Sequence, residues 1–422
     1  MGKTPGTTRT DPANHPPDLN QDPNSHSVNS MTKLEQLRAD TPGCASLIHL
    51  NNAGASLQPT PVLEAIRRHL DLEAQMGGYE AADSVAAETT GFYASVAQLL
   101  HTQTHNIAYT ASATDAYARA LSALPWRSGD VILTTENDYS SNQIAFLSLQ
   151  KRLGIRLLRA RDLPSGGVDV ADLERLVQQY HPVLVAVTHV PTNSGLVQPV
   201  EAIGKICREQ GIWYLVDACQ SAGQMELDVE QIGCDFLSAT LRKYLRGPRG
   251  AGFLFASDRV LEAGLELLLP DMRSADWTAA DTYETAPSAR RFEYWEMPIA
   301  LQLGSKAAVD YALKVGLGWM QQRIGGLAQF TRQALSELPG VRVLDEGEQV
   351  CGIVTARASH WVAKDLMEQL KAANINCRIS PLVAAQIDFS RKGVDWALRI
   401  TPHYYNTEEE IGALIALLRS VR

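Results

Sequence analysis

Two residues pose the chemical question. Asp217 closes the apolar run "WYLVDACQ", and Lys243 sits one strand later in "SATLRKYLRGPRGAGFLF". Taken alone, each has an ordinary reading. A strand-end aspartate commonly caps a helix or pairs with a surface base, and a lysine in a turn is ordinarily solvent-exposed. The flanks of Lys243 point elsewhere: "FLSAT" and "GAGFLF" are apolar, and the glycine-rich turn between them can press its backbone against a ligand. A third segment, "TASATDAYARAL", runs small residues into a helix N-terminus. Free N–H groups and the helix dipole favour an anion there, although Ser or Thr before a helix is also the usual cap. Anion cradle, aspartate and lysine, in that chain order, are the set that pyridoxal phosphate chemistry needs. The lysine forms a Schiff base, and the carboxylate keeps a pyridine nitrogen protonated so that the ring accepts electrons.

The elements that must position these residues are legible as short apolar runs alternating with amphipathic helices. "NIAYT", "DVILTT", "IRLLRA", "PVLVAVTH", "IWYLVD" and "GAGFLFA" are expected strands, with helices such as "VEAIGKICREQG" between them. Near-continuous Val, Ile and Leu runs separated by helices predict an α/β fold with a mostly parallel sheet covered on both faces. Ligands in such sheets bind at the C-terminal ends of the strands. At 422 residues the chain exceeds what one core usually serves. Residues 1–30, rich in Pro, Asn, Asp, Ser and Thr, are expected to be a disordered leader, with Met31 a possible alternative start. Residues 31–50 are expected to pack on the smaller domain, 51–305 to form the large domain, and 306–422 a small α+β domain. The latter begins with one long helical stretch, "SKAAVDYALKVGLGWMQQRIGGLAQFTRQALSEL". It ends with a helix that Thr407 and Glu410 open as a capping box.

Composition limits the partners. The net charge of −9 argues against nucleic acid or an anionic membrane, both of which need a basic face. Six scattered cysteines without paired spacing read as reduced thiols of a cytoplasmic protein, with no metal site expected. No apolar stretch is long enough to span a bilayer, and no secretory signal pattern opens the chain. Neither GxxxxGK[ST] nor GxGxxG follows the early strands, which removes a P-loop or dinucleotide-binding reading.

The stretches "HLNNAGAS", "TASATDA", "TTENDYSSN", "THVPTNSG", "YLVDACQSAG", "SATLRKYLRGPRGAGFLF", "RRFEYWE" and "LRITPHYYNTEEEI" resemble, in order, those of the class V aminotransferase family. These fold-type I pyridoxal-phosphate enzymes include cysteine desulfurases, selenocysteine lyases and isopenicillin N epimerase-like proteins. The resemblance covers residues 47–422. It implies that Lys243 is the Schiff-base lysine and Cα proton shuttle, Asp217 the pyridinium partner, and Gln220 the residue bonded to the cofactor's phenolic oxygen. Ala113 and Thr114 fall on the phosphate-binding turn, and Thr240 and Arg242 stand where the family has phosphate contacts. Arg399 resembles the arginine that clamps the substrate α-carboxylate. Asn52 and Ala53 lie in a turn near the substrate, and Arg378 aligns with a basic residue at the substrate mouth. The resemblance also implies a homodimer with active sites at the interface, which "RRFEYWE" would reach.

Two departures from the family pattern narrow the reaction. Tyr139 stands where desulfurases stack a histidine on the cofactor ring, and it has no imidazole to shuttle protons near neutral pH. The segment "RISPLVAAQIDFSRKGVDWALR" has no cysteine where persulfide-forming desulfurases carry one. Cys377 precedes it in an alternating strand that buries it, and Cys219 is expected to pack against the ring. Trp295, Glu296 and His403–Tyr405 are expected to form an aromatic, polar rim. The expected activity is β-elimination at a cysteine-derived amino acid. Epimerisation, transamination, decarboxylative or aldol-type chemistry, and a non-catalytic partner protein of the same fold are the alternatives.

Overall fold

The structure is a computed structural model, and it describes residues 1–2 and 31–421. The expected disordered leader lies almost wholly outside the described residues. The first helix, α1 (Lys33–Ala39), opens with a capping box between Thr32 and Glu35.

Seven short runs of β-branched, aromatic and aliphatic residues pair into one sheet. They are β1 (Ile107–Thr110), β2 (Val131–Thr135), β3 (Arg156–Ala160), β4 (Leu184–Thr188), β5 (Trp213–Asp217), β6 (Phe236–Thr240) and β7 (Gly252–Ala256). Their order across the sheet is β1-β7-β6-β5-β4-β2-β3. Only β7 runs against its neighbours β1 and β6; the other pairings are parallel. Every residue of β2, β4, β6 and β7 is buried, so the apolar runs show no alternation. Helices α2 (Ala113–Ala123), α3 (Ser140–Leu153), α4 (Val200–Glu209) and α5 (Val229–Ile232) follow β1, β2, β4 and β5. Parallel pairing brings the C-terminal ends of β2, β4, β5 and β6 to one edge, where Tyr139, Asp217 and Lys243 meet.

The expected long helix after this sheet is two helices. Helices α6 (Ile299–Val315) and α7 (Leu317–Ser336) break at Gly316, whose φ of +92° a residue with a side chain would rarely adopt. Helix α6 runs across position 305. A second, antiparallel sheet follows in the order β8-β9-β11-β10: β8 (Val341–Val343), β9 (Val354–Ala358), β10 (Arg378–Pro381) and β11 (Trp396–Ile400). Between β10 and β11 the chain forms α8 (Gln386–Lys392), and it closes with α9 (Glu408–Ser420). The Thr407–Glu410 capping box is present. Ile411, Leu414 and Leu418 of α9 pack with Leu398 and Ile400 in the core beneath this sheet.

The N-terminal segment binds this second unit. Ile48 pairs in parallel with Ile375, and Arg38 donates to the Tyr405 carbonyl at 2.6 Å and to Glu410 at 2.8 Å. The expected aromatic rim holds only in part. Trp295 is 47 % exposed, but His403, Tyr404 and Tyr405 are buried core, because the His403 ring is stacked on Tyr405 with centroids 5.1 Å apart. Among the described residues no helix is long and apolar enough to cross a membrane.

Two glycines in helices make opposite predictions. A Cβ on Gly204 in α4 would sit 1.8 Å from the Ile232 carbonyl oxygen, whereas one on Gly326 in α7 would meet nothing within 4 Å. Gly204→Ala is expected to destabilise the fold by about 3 kcal/mol, and Gly326→Ala to stabilise it by about 1 kcal/mol. Opposite shifts of the urea midpoint check this.

Candidate active site

Asp217 is a carboxylate buried at the last position of β5, 3 % exposed. Its oxygens are held by neutral donors: Asn142 Nδ2 at 3.0 Å and the Cys219 amide at 2.9 Å. Asn142 also donates to Asp138 at 3.3 Å and to the Thr188 hydroxyl at 3.3 Å. Asp138 accepts further from Thr134, Gln143, the Tyr139 amide and Thr188. Burial, reinforced by the Asp217 charge, pushes the Asp138 carboxyl up from its ordinary range. Asn142 thus bridges two buried acids. Neither Asn142 nor Asp138 stood out in the sequence, although "DYSSN" places them at i and i+4 at the start of a helix.

Lys243 is 6 % exposed in the turn after β6, and its amine makes no hydrogen bond among the described residues. It stands 5.9 Å from the centroid of the Tyr139 ring. Burial pushes its pKa down; Cys219 and Asp217 oppose this, and Arg242 and Arg399 add to it. Arg246, three residues on, has no place at the site. It is a left-handed residue (φ 60°) that donates to the Leu57 carbonyl at 2.8 Å, the Tyr404 hydroxyl at 2.6 Å and Thr41 at 2.6 Å. Its guanidinium lies 4.6 Å from the Tyr405 ring centroid. This cation fastens the turn to both ends of the chain.

Arg399, on β11, brings the second sheet to the first. It donates to the Thr192 hydroxyl at 2.8 Å and carbonyl at 3.1 Å in the loop after β4, and to Asn51 Oδ1 at 3.2 Å. These residues border an open cavity of about 600 Å³ lined also by Ala53, Tyr139, Arg242, Lys243 and Arg378. Arg242 also donates to the Gly54 carbonyl.

Two expected site residues, Asn52 and Thr240, face elsewhere. Asn52 is corrected to a structural residue: its amide donates to the Thr401 carbonyl at 2.7 Å and to the His49 carbonyl, and its oxygen accepts from Tyr405. Asn51 lines the cavity instead, one residue earlier in the same "HLNNAG" turn. Thr240 donates its hydroxyl proton to the Ala251 carbonyl at 3.3 Å and does not line the cavity. Gln220 donates to the Ala53 carbonyl and to Thr192, leaving its Oε1 without a partner. Ala113 and Thr114 form the first turn of α2, whose cap Ser112 accepts from the Asp115 amide. Thr192 was not singled out by sequence, although it lies in the quoted "THVPTNSG".

The Aminotransferase class-V family profile matches residues 48–414, and the chain belongs to that family of fold-type I pyridoxal-phosphate enzymes. A probable cysteine desulfurase of Methanothermobacter thermautotrophicus is 27 % identical over 92 % of this chain and 98 % of its own length. A probable hercynylcysteine sulfoxide lyase of Mycobacterium tuberculosis is 26 % identical, covering 91 % of this chain and 92 % of that one. The apo structure of a cysteine desulfurase from Thermococcus onnurineus superposes with a TM-score of 0.85 at 25 % identity, over 92 % of this chain and 98 % of that one. Pyridoxal phosphate is the cofactor, and a fold neighbour of 23 % identity, TM-score 0.82 over 91 % of this chain and 99 % of that one, has glycine covalently linked to it. The residues present fit that group. The Lys243 amine is buried and unengaged, Asp217 lies close to it, and Gln220 Oε1, His189 Nδ1 and Arg399 Nε are buried polar atoms awaiting partners. A Cβ on Gly252 would collide with the Ala113 amide at 2.9 Å, so glycine lets β7 approach the N-terminus of α2, whose free N–H groups suit an anion.

Two predictions follow from this arrangement. Asn142→Ala removes the donor between two buried acids and is expected to raise the dissociation constant for pyridoxal phosphate roughly tenfold, read by cofactor absorbance on dialysis. Uptake of pyridoxal phosphate by apoprotein needs the neutral Lys243 amine, so its rate is expected to rise with pH about a midpoint below the ordinary lysine range. Asp217→Asn removes a charge that favours the protonated amine, so the midpoint moves further down, as stopped-flow absorbance would show.

Proposed function

We propose that this enzyme is a lyase that cleaves the Cβ–S bond of a cysteine-derived amino acid and releases the sulfur as a free thiol. One observation carries the reading: a buried amine and a guanidinium suited to an α-carboxylate share a cavity that no cysteine lines among the described residues. The relative named as a hercynylcysteine sulfoxide lyase supports it. Pyridoxal phosphate, when bound, supplies the electron sink that makes the Cα proton of an amino acid removable.

The chain's own residues do the rest. Lys243 would hold the cofactor aldehyde and, with a substrate bound, would take the Cα proton. Burial favours its neutral, basic form. Arg399 receives the substrate carboxylate on a fork that Thr192 and Asn51 fix. Asp217 would serve as the partner of the ring nitrogen, and Tyr139 would cover the ring face. The N-terminus of α2, with Thr114 and Arg242, takes the phosphate. The balanced reaction consumes one water: an S-substituted cysteine gives a thiol, pyruvate and ammonium.

Residues 51–305 and 306–422 are read as two domains, on the support that each carries its own sheet. The chain is read as a cytoplasmic homodimer. The exposed apolar side chains Leu268, Leu269, Met272 and Trp277, all at least 66 % exposed, support a covered face.

Incubation of the holoenzyme with S-alkylcysteines tests the reaction. The expected result is equimolar thiol and pyruvate with no added amino acceptor, reduced by about a thousandfold or more in Lys243→Ala. Keto acid formed only with an added acceptor would establish transamination instead. Solvent deuterium entering Cα without product would establish epimerisation.

A further inference from the structure

The cavity is more cationic than the proposed chemistry requires. Arg242, Lys243, Arg249, Arg378 and Arg399 all line it, and no Asp or Glu does. None of the five forms an ion pair among the described residues; Arg242 and Arg399 bond only carbonyl, hydroxyl and amide oxygens. This concentration occurs in a chain whose net charge is −9.

The placement is costly for an empty site. Arg378 and Arg399 stand directly opposite each other on β10 and β11, a cross-strand pair of like charges that destabilises the sheet. Arg399 is 7 % exposed, with its Nε unpartnered. Burial and the neighbouring guanidiniums of Arg378 and Arg242 push it down to about 10. Arg242 and Arg249 are likewise close enough to repel. Anions arriving with the ligands relieve this repulsion. In the roles proposed above, Arg242 would receive the phosphate and Arg399 the α-carboxylate. Arg249 and Arg378 remain, exposed on the cavity wall and without an anion.

We propose that Arg249 and Arg378 select substrates with a second negative charge, so that the enzyme acts on cysteine S-conjugates whose distal substituent carries an anionic group such as a carboxylate. This rests on the lyase reading for the identity of the reacting bond, but the charge selectivity is a property of the cavity itself.

The test separates the two. Three amino acids share a six-carbon chain, lack a leaving group at Cβ and differ only in the distal group: 2-aminoadipate (anionic), norleucine (neutral) and lysine (cationic). Calorimetric titration of the holoenzyme is expected to show 2-aminoadipate binding roughly tenfold more tightly than norleucine, and lysine most weakly. The ratio should shrink at high salt. In the Arg249→Gln/Arg378→Gln double variant it should fall towards one, with circular dichroism and cofactor absorbance showing an intact holoenzyme. Equal dissociation constants for the three probes in the wild-type enzyme would overturn the proposal, as would a preference that survives the double variant. A parallel assay follows thiol and pyruvate from S-carboxymethylcysteine and S-ethylcysteine. Charge-ordered binding with no cleavage of either conjugate would sink the lyase reading and leave the selectivity standing. Cleavage of both at the same kcat/KM, with probes bound equally, would sink the selectivity and leave the lyase.

Discussion

The site depends on keeping an acid and an amine buried near each other without letting them pair. A buried carboxylate must be satisfied, and a lysine ammonium would be its natural partner. Here Asn142 and the Cys219 amide satisfy Asp217 instead. The carboxyl is therefore satisfied without capturing the amine, and Lys243 makes no hydrogen bond among the described residues. Neutral donors supply what an ion pair would otherwise supply. Asp138, Thr188 and Asn142 form the scaffold behind this arrangement, and each is reached from a different strand end or helix start.

The turn that carries Lys243 is held from outside the sheet. Arg246 adopts a left-handed backbone, a conformation that costs a residue with a side chain of order 1–3 kcal/mol. Three charge-assisted hydrogen bonds and the Tyr405 ring face offset that cost. Thr41 belongs to the N-terminal segment, Leu57 to the stretch just after it, and Tyr404 to the stretch after β11. A single guanidinium thus ties the turn to Thr41, Leu57 and the stretch after β11. Arg399 makes the reverse connection, from the second sheet to the loop after β4.

What was legible in the sequence follows from this division. Asp217 and Lys243 stand at the ends of continuous apolar strands, and such strands announce themselves because burial on both faces leaves no alternation to misread. The parallel sheet and its C-terminal edge follow directly. The residues misplaced are those whose orientation is set by contacts distant in sequence. Asn51 and Asn52 are adjacent and chemically identical, and only the bonds to Thr401 and Tyr405 decide which one turns inward. "PHYYN" has the composition of a surface rim, yet it closes around Arg246, which lies more than 150 residues away in sequence. The stretch from Ser305 to Leu338 reads as one helix, but the positive φ of Gly316 breaks it into two. Asn142 carries no local signature beyond its helical spacing from Asp138, because the other acid it bonds, Asp217, is 75 residues away on another strand.

The fate of the sulfur turns on where the thiols lie. Cys219 is the thiol near Lys243, and burial together with the Asp217 charge pushes it up to about 12. Cys377, at the edge of β10, is also pushed up to about 12 by burial. A thiol held protonated is a poor nucleophile, since the thiolate is the attacking form. Neither lines the cavity, and the chain between Arg378 and Arg399 folds into a short helix that contains no cysteine. In the proposed lyase reaction, a leaving sulfur would therefore meet guanidiniums rather than a receiving thiolate. The proposed charge selectivity and the proposed release as a free thiol share one basis: among the described residues, cations and no thiol line the cavity.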